Sequence, residues 1–263
     1  TVYEYDALGN MTAAKNEWGT ILCEYDSDSR LVACKYPDGK IIRYTYDAQG
    51  RKSSMTGPGG LQRVYTYDAS GRLTQLAQAD GPKLAEYTHN SFGVSSRRDG
   101  NQVRHQFEYD SSGKLRSLVS ESPSKEKLAA WNYAYDIYGR MTSVKDIDGQ
   151  RRAYEYDSSG RLVSVQHGDS VDLSIDYDAV GNRTSVNAES ISANVLNQYS
   201  RIDDTTRFYD LNGNLNARLE AGQKTAFEHD ALNRLLRVRL SNQTVVSYQY
   251  DPLGRLATRN VNG

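Results

Sequence analysis

The sequence predicts an all-β chain, an antiparallel meander of roughly 24 short strands arranged as about 12 hairpin units. Three observations predict it. Tyr-Asp pairs recur along the whole chain, ending at Asp6, Asp26, Asp47, Asp68, Asp110, Asp136, Asp157, Asp178, Asp210 and Asp251. The degenerate copies His89-Asn90 and His229-Asp230 complete the series, whose spacings are 20, 21, 21, 22, 20, 26, 21, 21, 32, 20 and 21 residues. A second Gly-containing turn falls about halfway round most units. Helical periodicity is weak, and confined to 125–131 and 190–198.

The unit reads Tyr-x-Tyr-Asp-x-x-Gly-Arg-Leu. Its first element is a strand. Alternation in Tyr44-Thr45-Tyr46, Tyr65-Thr66-Tyr67, Tyr154-Glu155-Tyr156 and Tyr248-Gln249-Tyr250 puts tyrosine on one face and Thr, Glu or Gln on the other. Tyr5, Tyr109, Tyr135, Tyr177 and Tyr209 hold the same position before the Asp as Tyr46, Tyr67, Tyr156 and Tyr250.

Its second element is a turn. Asp first and Gly fourth suits a type I turn, in which the carboxylate accepts local backbone N–H groups. The glycines are Gly9, Gly50, Gly71, Gly113, Gly139, Gly160, Gly181, Gly213 and Gly254, with Gly93 in the His89-Asn90 copy; Ser29 and Asn233 are the exceptions. Gly takes the left-handed conformation that closes a hairpin with the correct twist. A basic residue follows in eight units: Arg30, Arg51, Arg72, Lys114, Arg140, Arg161, Arg234 and Arg255.

The third element is the return strand. Leu31, Leu73, Leu115, Leu162, Leu235 and Leu256 are expected across from the tyrosine, and Val144, Val165 and Val186 stand three residues beyond this slot. Strict alternation does not allow that spacing, so a bulge is expected. The halfway turns are Trp18-Gly19, Asp38-Gly39, Gly59-Gly60, Asp80-Gly81, Asp99-Gly100, Asp148-Gly149 and Ala221-Gly222.

The composition is unusual in the same way. Leu, Ile, Val and Phe supply 51 of 263 residues, at the border of the disordered range, yet 20 of the 26 aromatic residues are tyrosines. Seventeen of those tyrosines occupy the two motif slots, so they form the core material of the repeat. A net charge of −1 argues against a general nucleic-acid binder, and no apolar run approaches the roughly 20 residues of a membrane span. Thr1-Val2-Tyr3-Glu4-Tyr5 is neither a signal peptide nor a start methionine, so a piece of a longer protein is expected. The array is read as a single domain over 1–263, with longer loops near 120–130 and 187–206 where the spacing grows.

Tyr67-Asp68-Ala69-Ser70-Gly71-Arg72-Leu73 and Tyr156-Asp157-Ser158-Ser159-Gly160-Arg161-Leu162 resemble the YD repeat of the Rhs proteins, and the resemblance spans essentially the whole chain. That family includes bacterial polymorphic toxins, cocoon components of insecticidal toxin complexes, wall-associated proteins and teneurins. The resemblance implies a curved or spiral β-sheet, here part of a shell, that encloses a C-terminal toxin domain in a secreted or cell-surface protein. Leu196-Asn197-Gln198-Tyr199 is similar to an Asn-x-Tyr element near the end of Rhs cores, which implies a late position in the parent. Asp251-Pro252-Leu253-Gly254 resembles an aspartyl self-cleavage segment, but Arg255 stands where that motif has Leu. The segment is in register as the twelfth repeat and reads as a structural turn.

No catalytic residue, cofactor or metal is expected. Each turn offers one carboxylate, whereas Ca²⁺ needs several oxygens on one loop. His89, His105, His167 and His229 lack metal-ligand spacing, and two of them replace the motif tyrosine. The basic residues are expected to pair with the turn aspartates. Counting around the Asp26 turn sets Cys23 opposite Ala33, so Cys34 falls out of register and both thiols are read as free. Motifs for a Ser nucleophile, a phosphate loop or a His-Glu-x-x-His zinc site do not occur. The expected function is a structural shell segment whose partners are the remaining repeats and the toxin domain. The alternative is a cell-surface module whose Trp18 and Trp131 rings bind carbohydrate or a protein receptor.

Overall fold

The computed structural model describes residues 1–262 and contains 26 strands and no helix among them. Consecutive strands pair antiparallel, as the alternating tyrosines and the turn spacing require. The chain divides into two compact units, one of Thr1–Lys15 with Thr20–Ala153 and the other of Asn16–Gly19 with Tyr154–Gly263.

In the first unit, Ile21, Cys23 and Cys34 form a buried cluster, with Met11, Tyr25, Leu31 and Tyr36 packed against it. In the second, Val165, Ile175, Ala217 and Val246 are the buried apolar side chains of the strands. Most other apolar side chains stay half-buried, because each strand packs chiefly against its sequence neighbours.

The register shifts by one residue just before each Tyr-Asp turn, for example between Thr45 and Tyr46 and between Ala134 and Tyr135. Tyr135 therefore faces Met141 while Tyr133 faces Val144, and Thr142 is the extra residue of the bulge. This bulge explains the three-residue spacing of the apolar positions after the turn. It also corrects the cysteine register. Cys23 lies directly opposite Cys34, not Ala33, because the shift between Glu24 and Tyr25 moves the whole pairing by one. The two cysteines are not joined by a disulfide, and their sulfurs lie 3.6 Å apart.

Both segments of weak helical periodicity are strand and turn, not helix. Residues 127–131 lie in the strand Lys127–Tyr135, which pairs with Leu115–Glu121 around a turn closed by the Ser122 and Glu126 backbones. The 187–206 segment holds two strands, Glu189–Ala193 and Tyr199–Ile202, joined by a turn at Asn194. That turn has the backbone of the Tyr-Asp turns: Asn194 N–H donates to Gln198 O at 2.9 Å and Asn197 N–H to Asn194 O at 3.0 Å. The 32-residue interval thus conceals a thirteenth turn, with Asn194 in place of Asp and Asn197, at φ 58°, in place of Gly. Thirteen units of two strands account for all 26 strands.

Candidate functional site

The repeated turn is the one constellation that recurs throughout the chain, and Asp157–Arg161 shows it whole. Asp157 N–H donates to Arg161 O at 2.9 Å, and Gly160 N–H to Asp157 O at 3.0 Å. Asp157 Oδ1 accepts the N–H groups of Ser159 and Arg161, each at 2.9 Å, and Oδ2 accepts Arg161 Nε at 2.6 Å. Both carboxylate oxygens are therefore engaged inside their own turn.

Arg161 then reaches the next unit. Its Nη1 donates to Asp178 O at 3.1 Å, and its guanidinium lies 4.6 Å from the Tyr177 ring centroid. Tyr177 Oη returns a bond to Leu162 O at 2.9 Å. These two units are thereby tied by a hydrogen bond in either direction and a cation–π contact.

The same ties recur. Arg30, Arg51, Arg72, Arg140, Arg234 and Arg255 hold Asp26, Asp47, Asp68, Asp136, Asp230 and Asp251 through Nε at 2.6–2.8 Å. Arg30, Arg51 and Arg234 lie over Tyr46, Tyr67 and Tyr250, and Lys114 Nζ over Tyr135. Tyr25, Tyr46, Tyr67, Tyr109, Tyr135, Tyr209 and Tyr250 donate to the carbonyls of Met11, Leu31, Lys52, Val94, Leu115, Tyr199 and Leu235 at 2.8–3.1 Å. Tyr5, in the first unit, is 60% exposed. Tyr156 stands in the strand Arg151–Tyr156, half-buried.

Ten of the turn carboxylates are held below the usual Asp range. For Asp26, Asp68, Asp110 and Asp157 the largest cause is the backbone N–H four residues on, which outweighs the opposing effect of burial. For Asp6, Asp178 and Asp210 it is the side-chain amide of Asn10, Asn182 or Asn214, which stands in for Arg. At Asp47, Asp136 and Asp230 burial is the largest cause and acts upward, but the N–H and guanidinium bonds together exceed it.

The fourth turn position has positive φ at Gly9, Gly50, Gly71, Gly113, Gly139, Gly160, Gly181, Gly213 and Gly254, and also at Ser29 and Asn233. At Gly139 space matters too: an added Cβ would lie 2.8 Å from Lys114 Cε.

Asp251 makes the same turn, bonded to the N–H groups of Leu253 and Arg255, and is only 5% exposed. Pro252 is fully buried, and Asn16 Nδ2 donates to Tyr250 O at 2.8 Å. His229 faces Leu235 as the motif tyrosines face theirs. His105 sits between Ser120 Oγ at 2.8 Å and Asp99 Oδ2 at 3.2 Å. Among the described residues no three His, Cys, Asp or Glu side chains form a metal-ligand group. Trp18 and Trp131 are half-buried.

Sequence reasoning missed the tyrosine hydroxyl bond to the preceding unit. The signal was present, because the slot before the Asp holds Tyr in ten units and Phe in none.

A family model described as Teneurin YD-shell matches residues 1–154 and 98–263, which together take in the whole chain. The crystal structure of TcdB2-TccC3-Cdc42 superposes with a TM-score of 0.74 at 13% identity, covering 99% of this chain and 17% of that one. TcdB2-TccC3 without its hypervariable C-terminal region gives 0.66 at 16% identity, covering 98% and 15%. A Photorhabdus luminescens Tc holotoxin pore gives 0.50 at 14%, covering 93% and 18%. At such identities the likeness is one of fold, and the chain spans less than a fifth of each of these proteins. No curated protein matches it. Tyrosine ties between units, all-β topology and family model agree: the chain belongs to the teneurin YD-shell family.

Proposed function

We propose that this chain is a non-catalytic wall segment of a larger exported protein, and that the wall encloses and helps deliver a C-terminal toxin domain. One observation carries the reading. The polar groups repeated along the array, the Asp carboxylate, the Arg guanidinium and the Tyr hydroxyl, are spent on the turn itself and on the neighbouring units. A repeat whose chemistry is consumed internally serves extension and rigidity. The likeness to part of the TcdB2-TccC3 chain supports a wall role, and the remaining repeats of the parent are the natural partners.

Limited proteolysis of the intact parent protein tests it. The segment following the repeats should survive while the wall is intact, and be digested once the wall is unfolded. Digestion of that segment at the same rate in the intact parent as in isolation would sink the proposal.

A further inference from the structure

Arg207 breaks the tyrosine pattern. It stands three residues before Asp210, where seven units have tyrosine, and it lies directly opposite Arg218 across the strand pair. Facing like charges destabilise a sheet, and a guanidinium cannot escape by losing its proton. Arg207 Nε is nonetheless buried without a hydrogen-bond partner. The carboxylate that reaches Arg218 is Glu220, 3.7 Å away and half-exposed, too far for a hydrogen bond.

Arg218 also lines a groove with Thr225, Ser241 and Asn242. Two hydroxyls, the amides of Gln223 and Asn242 and a guanidinium thus border one depression, and Arg207 faces that guanidinium from the paired strand. Elsewhere in this unit an arginine pair is neutralised: Glu228 binds both Arg237 and Arg239, at 2.8 and 2.9 Å. Arg207 has no such carboxylate among the described residues, and Arg218 has only Glu220.

We propose that Arg207 and Arg218 form an oxyanion site, filled by a carboxylate or phosphate group that accepts from both guanidinium forks. The bound anion neutralises the facing charges. This site is independent of the wall role, and its ligand is defined by oxyanion chemistry alone.

Calorimetric titration of the chain with glutarate and with inorganic phosphate, at constant ionic strength, tests the proposal and distinguishes the two anion types. At least one should bind saturably, one per chain. Arg207→Tyr, which restores the residue of the other units, and Arg218→Gln should each weaken binding at least tenfold. Arg207→Lys keeps the charge but loses the fork, and should weaken it comparably, so the test survives if the tyrosine variant does not fold. Arg237→Gln should bind as the parent does. Failure of both anions to bind, or undiminished binding by the Arg207 variants, overturns the assignment.

Discussion

Asn214 Nδ2 lies 2.8 Å from Asn233 Oδ1, and this bond joins the two positions where neighbouring units both depart from the motif. Asn214 replaces the Arg of its unit, and Asn233 replaces the Gly of the next. The same coupled departure occurs twice more. Asn182 Nδ2 donates to Asn197 Oδ1 at 3.1 Å, and Asn10 Nδ2 to Ser29 Oγ at 3.0 Å. Where the basic residue is long, the following turn has Gly: an added Cβ on Gly50 would lie 3.3 Å from Arg30 Nη1, and one on Gly71 3.7 Å from Arg51 Nη1. A long side chain covers the next turn and occupies the space that a side chain there would enter. The short Asn10, Asn182 and Asn214 leave a gap that Ser29, Asn197 and Asn233 fill with a hydrogen bond.

This coupling predicts a rescue. Arg51→Asn and Gly71→Asn should each destabilise the chain, the first by losing the Tyr67 contact and the second by obstructing Arg51. The double variant should be more stable than the two losses added, by about 0.5–1 kcal/mol in a double-mutant cycle from urea unfolding. Strict additivity would show that the two positions do not communicate.

Tyr67→Phe keeps the ring over which Arg51 lies but removes the bond to Lys52 O, 2.8 Å long. A loss of about 1 kcal/mol is expected. Tyr5→Phe should cost nothing measurable, since Tyr5 is exposed and has no such bond among the described residues. Equal effects of the two substitutions on the urea midpoint would contradict the role given to the hydroxyl.

Acid should unfold the array through its turns. Asp68, Asp110 and Asp157 have lower pKa values folded than unfolded, so their stabilisation is complete above the ordinary Asp value of about 3.9 and is lost as pH falls below it through the folded values. Circular dichroism followed from pH 6 downward, in steps of about one unit, should show no loss of strand signal until below that value. Asp68→Asn, which cannot titrate, should lower stability at neutral pH and narrow its gap to the parent in acid. A gap that stays constant with pH would refute the linkage.

Cys23 and Cys34 face each other with their sulfurs 3.6 Å apart, so a small closing motion brings them to bonding distance. Exchange with oxidised glutathione should give an intramolecular disulfide and two equivalents of glutathione, a mass loss of about 2 Da in the protein. The oxidised chain should be more stable by about 2–3 kcal/mol. Mixed disulfides with glutathione as the sole product would show that the two strands hold the thiols apart.

Much of the fold was legible because the Tyr-Asp turn is a local structure. Asp68, Gly71 and Arg72 close their turn within five residues, and the alternation of Tyr65 and Tyr67 fixes the strand faces. What escaped was whatever depended on registry or on a disguised residue. Cys23 and Cys34 were misaligned because one bulge residue, set by the turn geometry, moves every downstream partner by one. The turn at Asn194 escaped because amides can occupy both its first and fourth positions, so neither Asp nor Gly marks it.

The sequence by itself determined the all-β class, the period of the units and the face on which the tyrosines stand, because each follows from local sterics and alternation. Only the tertiary structure decided how one unit recognises the next. The Tyr hydroxyl, the Arg guanidinium and the Asn-for-Gly exchanges act between residues 15 to 19 positions apart along most of the array, as in Tyr67 with Lys52, Arg161 with Asp178 and Asn214 with Asn233. It likewise set Arg207 against Arg218, since facing charges arise from strand pairing and not from proximity in the chain.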